Sequence, residues 1–217
     1  MEIEIGESLF YSWLRHVRKC KIVQTNWKNS PAWDIKNSNE IADILAELRN
    51  YYSNKYPTSY LLGKKTSLSQ IFRQGESDLL GVNNDDSCNK YYAIDVAFHR
   101  KGLNYGKNKE DRIISIIGKC VRSALYMYGY FNIKNGYIAF ASPKVTPKLQ
   151  KTLIEELDYV GDFFNKKGFG FQFELLSNDS FGKKVIDPIL EISNVVEDSC
   201  ELFLRSVQLI QMFKHID

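Results

Sequence analysis

Cysteine is sparse and scattered in this chain. Cys20, Cys88, Cys120 and Cys200 form no C-x-x-C pair and have no close histidine, which argues against a zinc site and, at 217 residues, against a disulfide framework. The three histidines, His16, His99 and His215, are too far apart for a metalloprotease helix motif. No G-x-x-x-x-G-K-[ST], G-x-G-x-x-G or G-x-S-x-G sequence occurs, so phosphate-loop, dinucleotide and serine-hydrolase chemistry find no support. Gly168-Phe169-Gly170-Phe171 precedes a strand but no helix follows in the required context. Membrane-length apolar runs are missing, and the acidic start Met1-Glu2-Ile3-Glu4 has no signal core. The expectation is a soluble, cytoplasmic protein without membrane association. Its net charge of +3 neither demands nor excludes a polyanionic partner.

With 44% hydrophobic and 25% charged residues the composition is that of a globular chain, and one domain over 1–217 is the economical division. Leu9, Phe10, Trp13, Leu14 and Val17 recur at helical spacing and predict a helix over 6–19. A β-prone run at 21–26 is followed by a helix over 39–54, with Ile41, Ile44, Leu45 and Leu48 as its apolar stripe, and a short helix over 68–73. Strands are expected at about 76–82 and 91–99, joined by the turn signal Asn83-Asn84-Asp85-Asp86-Ser87. A long helix over 110–129, a strand at 137–141, a helix over 147–166, a strand at 169–176 and one or two helices over 180–214 complete the chain. A tight hairpin is antiparallel whereas helical crossovers return parallel strands, so the order predicts an α/β fold with a mixed sheet.

The chemistry concentrates at two acids set in apolar strands, Asp78 in Glu76-Ser77-Asp78-Leu79-Leu80-Gly81-Val82 and Asp95 in Tyr91-Tyr92-Ala93-Ile94-Asp95-Val96-Ala97-Phe98-His99. A carboxylate is costly to bury without a partner, and a second one beside it raises the cost. A hard divalent cation removes that conflict. Side chains alternate along a strand, so Glu76 shares a face with Asp78, and Asp95, Ala97 and His99 share one on the next strand. If the register sets Asp78 opposite Asp95, the two could hold a common ion.

A helix bearing a Glu, then G-E-S-D-L-L-G-V, a hairpin, A-I-D-V-A-F-H and a helix together resemble the PD-(D/E)XK nuclease superfamily. The resemblance implies an αβββαβ restriction-endonuclease-like core over about 6–142, with a helical insertion at about 38–73 and a C-terminal helix–strand–helix extension over 143–217. It also implies a Mg²⁺- or Mn²⁺-dependent nuclease acting on nucleic acid, DNA in the first instance. Asp78 and Asp95 match the two motif acids, and Glu7 matches the position of an extra metal-binding Glu; Glu76 is a further metal candidate. The motif calls for Lys two residues after the second acid, where this chain has Ala97. Its replacement is open between His99, further along the same strand face, and Lys119 or Arg122 on the following helix.

Gln74, just before the acidic strand, and Arg100, Lys101 and Lys107, just after the second, are candidate phosphate contacts. Trp27 and Trp33 combine with Lys28 as a nucleic-acid loop might, or anchor that loop to the domain. The alternative function is a catalytically inactive nuclease-fold protein that binds nucleic acid or a protein partner. Leu202, Phe203, Val207, Leu209, Ile210, Met212 and Phe213 could give a homodimer through the final helix, or pack it on its own domain.

Overall fold

A computed structural model of the protein describes residues 4–85, 88–98, 102–103, 108–197 and 199–214. The elements run α1 (Ile5–Ser12), β1 (Ile22–Lys28), α2 (Ser38–Lys55), α3 (Leu68–Arg73), β2 (Glu76–Asp85), β3 (Cys88–Val96), α4 (Lys109–Phe131), β4 (Asn135–Ser142), α5 (Pro147–Lys166), β5 (Gly170–Ser177), α6 (Asn178–Phe181), α7 (Asp187–Ser193) and α8 (Leu202–Lys214). Capping chemistry sets several boundaries. Ser67 and Gln70 form a reciprocal capping box on α3. The Asn108 side chain accepts the Asp111 N–H at the start of α4, and Asn132, left-handed at φ 55°, ends it.

The five strands form one mixed sheet in sequential order. β1, β2 and β3 are an antiparallel meander, while β4 and β5 join in parallel after the helical crossovers α4 and α5. Helices cover both faces, each over its own apolar cluster. On one side α2, α3, α4 and α5 pack over Ala93, Ile138, Phe140 and Phe171. On the other, α1, α7 and α8 pack over Leu79, Ile94, Ala139 and Leu176. Consecutive residues such as Leu79 and Leu80 therefore face opposite layers, as the two-residue strand period requires.

Three expectations about the elements change. The expected helix over 6–19 is α-helical only to Ser12 and then widens into a π-helical stretch, Trp13–Val17. Asn83, Asn84 and Asp85, expected in a turn, instead extend β2 opposite Lys90, Asn89 and Cys88. The Asn83 amide donates to the Arg18 carbonyl at 3.0 Å, which gives this polar residue a buried partner. Strand β3 ends at Val96 rather than 99; one more ladder bond, Ala97 N–H to the Ala141 carbonyl, follows, and Phe98 is exposed. Within the expected C-terminal helix–strand–helix segment, β5 joins the same sheet, parallel to β4.

Helix α8 buries Leu204 and leaves Leu202, Leu209, Ile210, Met212 and Phe213 exposed, the side chains on which the expected homodimer rests. Among the described residues no helix is long and apolar enough to cross a membrane.

Candidate metal and nuclease centre

The β2–β3 ladder closes at the pair Leu79↔Ile94, and beyond it the two strands part. Asp78 stands at the parting on β2. In place of a ladder bond, its Oδ2 accepts the backbone N–H of Val96 at 2.6 Å. β3 meanwhile stays on β4, with Asp95 opposite Phe140 and Val96 opposite Ala141. The fork is matched on the other edge of β2. Thr25 pairs with Leu79 and Trp27 with Ser77, but Asn26 between them is left-handed, at φ 49°. Asparagine tolerates that conformation better than a β-branched residue would. The turn-out aims the Asn26 amide at α1, where it donates to Glu7 Oε2 at 2.8 Å.

Asp95 is only 2% exposed and lies on the α4 side of the sheet. Lys119 reaches it from α4, with Nζ 3.0 Å from Oδ1. The lysine keeps 24% of its side chain exposed, so the ion pair lies at the rim of the core. Ala97 shares the Asp95 face of β3 and is 2% exposed within the α4-side core. The cation beside Asp95 is thus supplied from α4. Tyr126 and Ser123 sit behind this pair: the Tyr126 hydroxyl donates to Ser123 Oγ, which donates to the Lys119 carbonyl. Ser77 Oγ bridges the carbonyls of Leu79 and Ile94 at the apex of the fork.

The electrostatics follow from two carboxylates with one close ammonium. Burial raises the Asp78 pKa from the ordinary carboxylate range to about 6, and the Asp95 charge pushes it the same way. The Val96 N–H and Lys119 oppose this, while Glu7 adds a further small rise. Asp78 therefore lies within electrostatic reach of Asp95, Lys119 and Glu7. Asp78 and Asp95 are the oxygen donors a cation would meet here, because each is a hard ligand whose charge the surrounding core does not solvate. Among the described residues no group of three or more His, Cys, Asp or Glu side chains is gathered at metal-ligating distance.

Other candidates are placed elsewhere. Glu76 is exposed at the end of the β1–β2 ladder, opposite Lys28 and 3.4 Å from its Nζ. Strand alternation puts it on the Asp78 side, where it is held out in solvent beside Lys28. Gln74 is exposed as the C-cap of α3. His99, Arg100, Lys101 and Lys107 lie outside the described residues. Trp27 is buried, 4.7 Å from the Tyr126 ring, with Trp33 beside it, so this pair anchors the loop after β1. Sequence reasoning missed Asn26 and the Val96 N–H. The first had one signal, an asparagine inside a β-prone run; the second, a backbone group, had none.

Compared with known proteins, the chain matches no family model, and no curated protein or solved structure matches it significantly.

Proposed function

We propose that the chain is a metal-dependent nuclease that hydrolyses phosphodiester bonds, with DNA as the first substrate to test. The observation that carries this is the fork itself: Asp78 and Asp95 at the point where β2 and β3 part, with Lys119 joined to Asp95 on the face where Ala97 leaves no lysine. The element order supports the same reading, since an antiparallel three-strand meander, a helix and a parallel fourth strand follow α1 as in the αβββαβ core.

Asp78 and Asp95 would hold Mg²⁺ or Mn²⁺, with Glu7 close enough to complete or tune the site. The bound ion would lower the pKa of a ligating water and offset charge on the phosphoryl oxygens. The chain's own part is positional. The Val96 N–H fixes one Asp78 oxygen, and Lys119 fixes one Asp95 oxygen. The Lys119 ammonium, held at the rim, is also placed to orient the attacking water or to stabilise developing negative charge. Ala97 is the support for a catalytically inactive, nucleic-acid- or protein-binding alternative; the approach of Lys119 to Asp95 favours catalysis.

Incubation with duplex, single-stranded and branched oligonucleotides in Mg²⁺ and in Mn²⁺ tests the proposal. Metal-dependent cleavage is expected, abolished by Asp78→Ala and Asp95→Ala with circular dichroism unchanged. Lys119→Met is expected to slow it on the order of a hundredfold. If neither metal supports cleavage of any substrate, the binding alternative replaces the nuclease.

A further inference from the structure

Arg122 follows Lys119 by three residues on α4, so the two share a helix face. Both line a pocket of about 250 Å³ between α4 and the loop that carries Tyr60, Leu62 and Gly63, with Ser115 on its wall. Arg122 is half-buried, and its Nε is fully buried without a hydrogen-bond partner. Among the described residues its guanidinium makes no hydrogen bond and no ion pair. Two other half-buried arginines are engaged differently. Arg49 donates to the carbonyls of Leu61, Leu62, Gly63 and Thr66, and Arg18, whose Nε is likewise buried without a hydrogen-bond partner, has its guanidinium covered by the Trp13 and Tyr137 rings and lines no phosphate-sized space beside Lys119.

A buried guanidinium donor left unsatisfied is destabilising, and its planar fork of N–H groups matches a phosphate. The surroundings point the same way. Arg49 engages the loop carbonyls, which withdraws those acceptors from the pocket. The same loop presents Lys64 and Lys65 in exposed positions. Glu110 and Asp111, in α4's first turn, already accept from Thr58 and Ser59. Burial dominates the raised pKa of the Tyr126 hydroxyl, which also senses Asp95 and Arg122, so the arginine lies within electrostatic reach of the fork.

We infer that Arg122 is a substrate-binding residue that takes a phosphate of the nucleic-acid strand adjoining the one at Asp95, in the pocket between α4 and the 60–63 loop. The inference rests on the nuclease proposal for the identity of the strand, whereas phosphate binding itself requires no cleavage.

The test is run on the full chain in EDTA, with fluorescein-labelled single-stranded and duplex oligonucleotides. Arg122→Gln is expected to weaken binding about tenfold, and Arg122→Lys to restore part of it. The melting temperature of Arg122→Gln is expected to be no lower than that of wild type, since no internal partner is lost and an unsatisfied buried donor is removed. In parallel, inorganic phosphate but not chloride is expected to move the Arg122 Nε–H resonance. Equal oligonucleotide affinities for wild type and Arg122→Gln overturn the inference, and so does a lowered melting temperature with unchanged affinity. A phosphate-shifted resonance with equal oligonucleotide affinities assigns the pocket to a free phosphate anion and removes the strand. Failure of the nuclease proposal looks different: Arg122-dependent binding persists, but no metal yields cleavage.

Discussion

Asp78 carries the largest electrostatic tension at the fork. An unfolded aspartate titrates near 4, and the folded one at about 6. Between those values the native state binds more protons than the unfolded state, so stability falls as pH rises through that window and the full penalty persists above it. For the metal-free protein, the penalty at neutral pH is on the order of 2 kcal/mol once partial exposure is discounted. Asp78→Asn keeps an oxygen for the Val96 N–H but removes the charge. In EDTA at pH 7.5 the variant is expected to melt roughly 5 °C above wild type, with the gap closing toward pH 4. Thermal melts across pH 4–8 check this; a gap that is zero, or independent of pH, would show that Asp78 is not held in the strained environment described. That Asp78 and Asp95 belong together was legible in the sequence, because each interrupts an apolar strand run. How they belong was not: the fork depends on where a ladder stops, and residue alternation carries no mark of that.

At the level of elements, the molecule holds its candidate site between a strand interrupted at Asn26, a helix that supplies Lys119 and a loop clamped by Arg49. The clamp consists of four carbonyls, those of Leu61, Leu62, Gly63 and Thr66, converging on one guanidinium. Lysine offers a point charge in place of a planar fork and cannot reproduce that set. Arg49→Lys is therefore expected to destabilise the protein by about 1–2 kcal/mol and to open residues 60–66 to proteolysis before the rest of the chain. Limited trypsin or chymotrypsin digestion with peptide mapping checks it, and an unchanged cleavage pattern would contradict the clamp. Periodicity made α2, α3, α4 and α5 legible almost to their ends, since Ile41, Ile44, Leu45 and Leu48 or Ile113, Ile116, Ile117 and Cys120 fall on single faces. The clamp was illegible, because nothing local distinguishes Arg49 from an arginine on a solvated helix face. Asn83, Asn84 and Asp85 misled for the opposite reason: their composition favours a turn, but cross-strand pairing with β3 and the Arg18 carbonyl kept them in the strand.

Over the whole molecule, the C-terminal helix supports the site from behind. The Ser8 hydroxyl accepts the Phe203 N–H, and Arg15 and His16 both engage Glu201, which ties the start of α8 to the helical segment that begins with Glu7's helix. Gly6 lies so close to the end of β3 that a Cβ there would stand 2.8 Å from Val96, so α1 can reach the fork only with glycine at that point. The mixed sheet was legible from the order of helices and strands. The approach of Lys119 to Asp95 was legible only as one of several options, because Lys119 sits among apolar helix neighbours and its partner is set by tertiary packing. The central claim is that the acids at the parting of β2 and β3 form a divalent-cation site. The most direct measurement is calorimetric titration of Mn²⁺ into the metal-free wild-type protein and into Asp78→Asn, with both shown to be folded. Saturable binding by wild type that Asp78→Asn loses is expected. Equal titration of the two proteins, or no uptake by wild type, would contradict it.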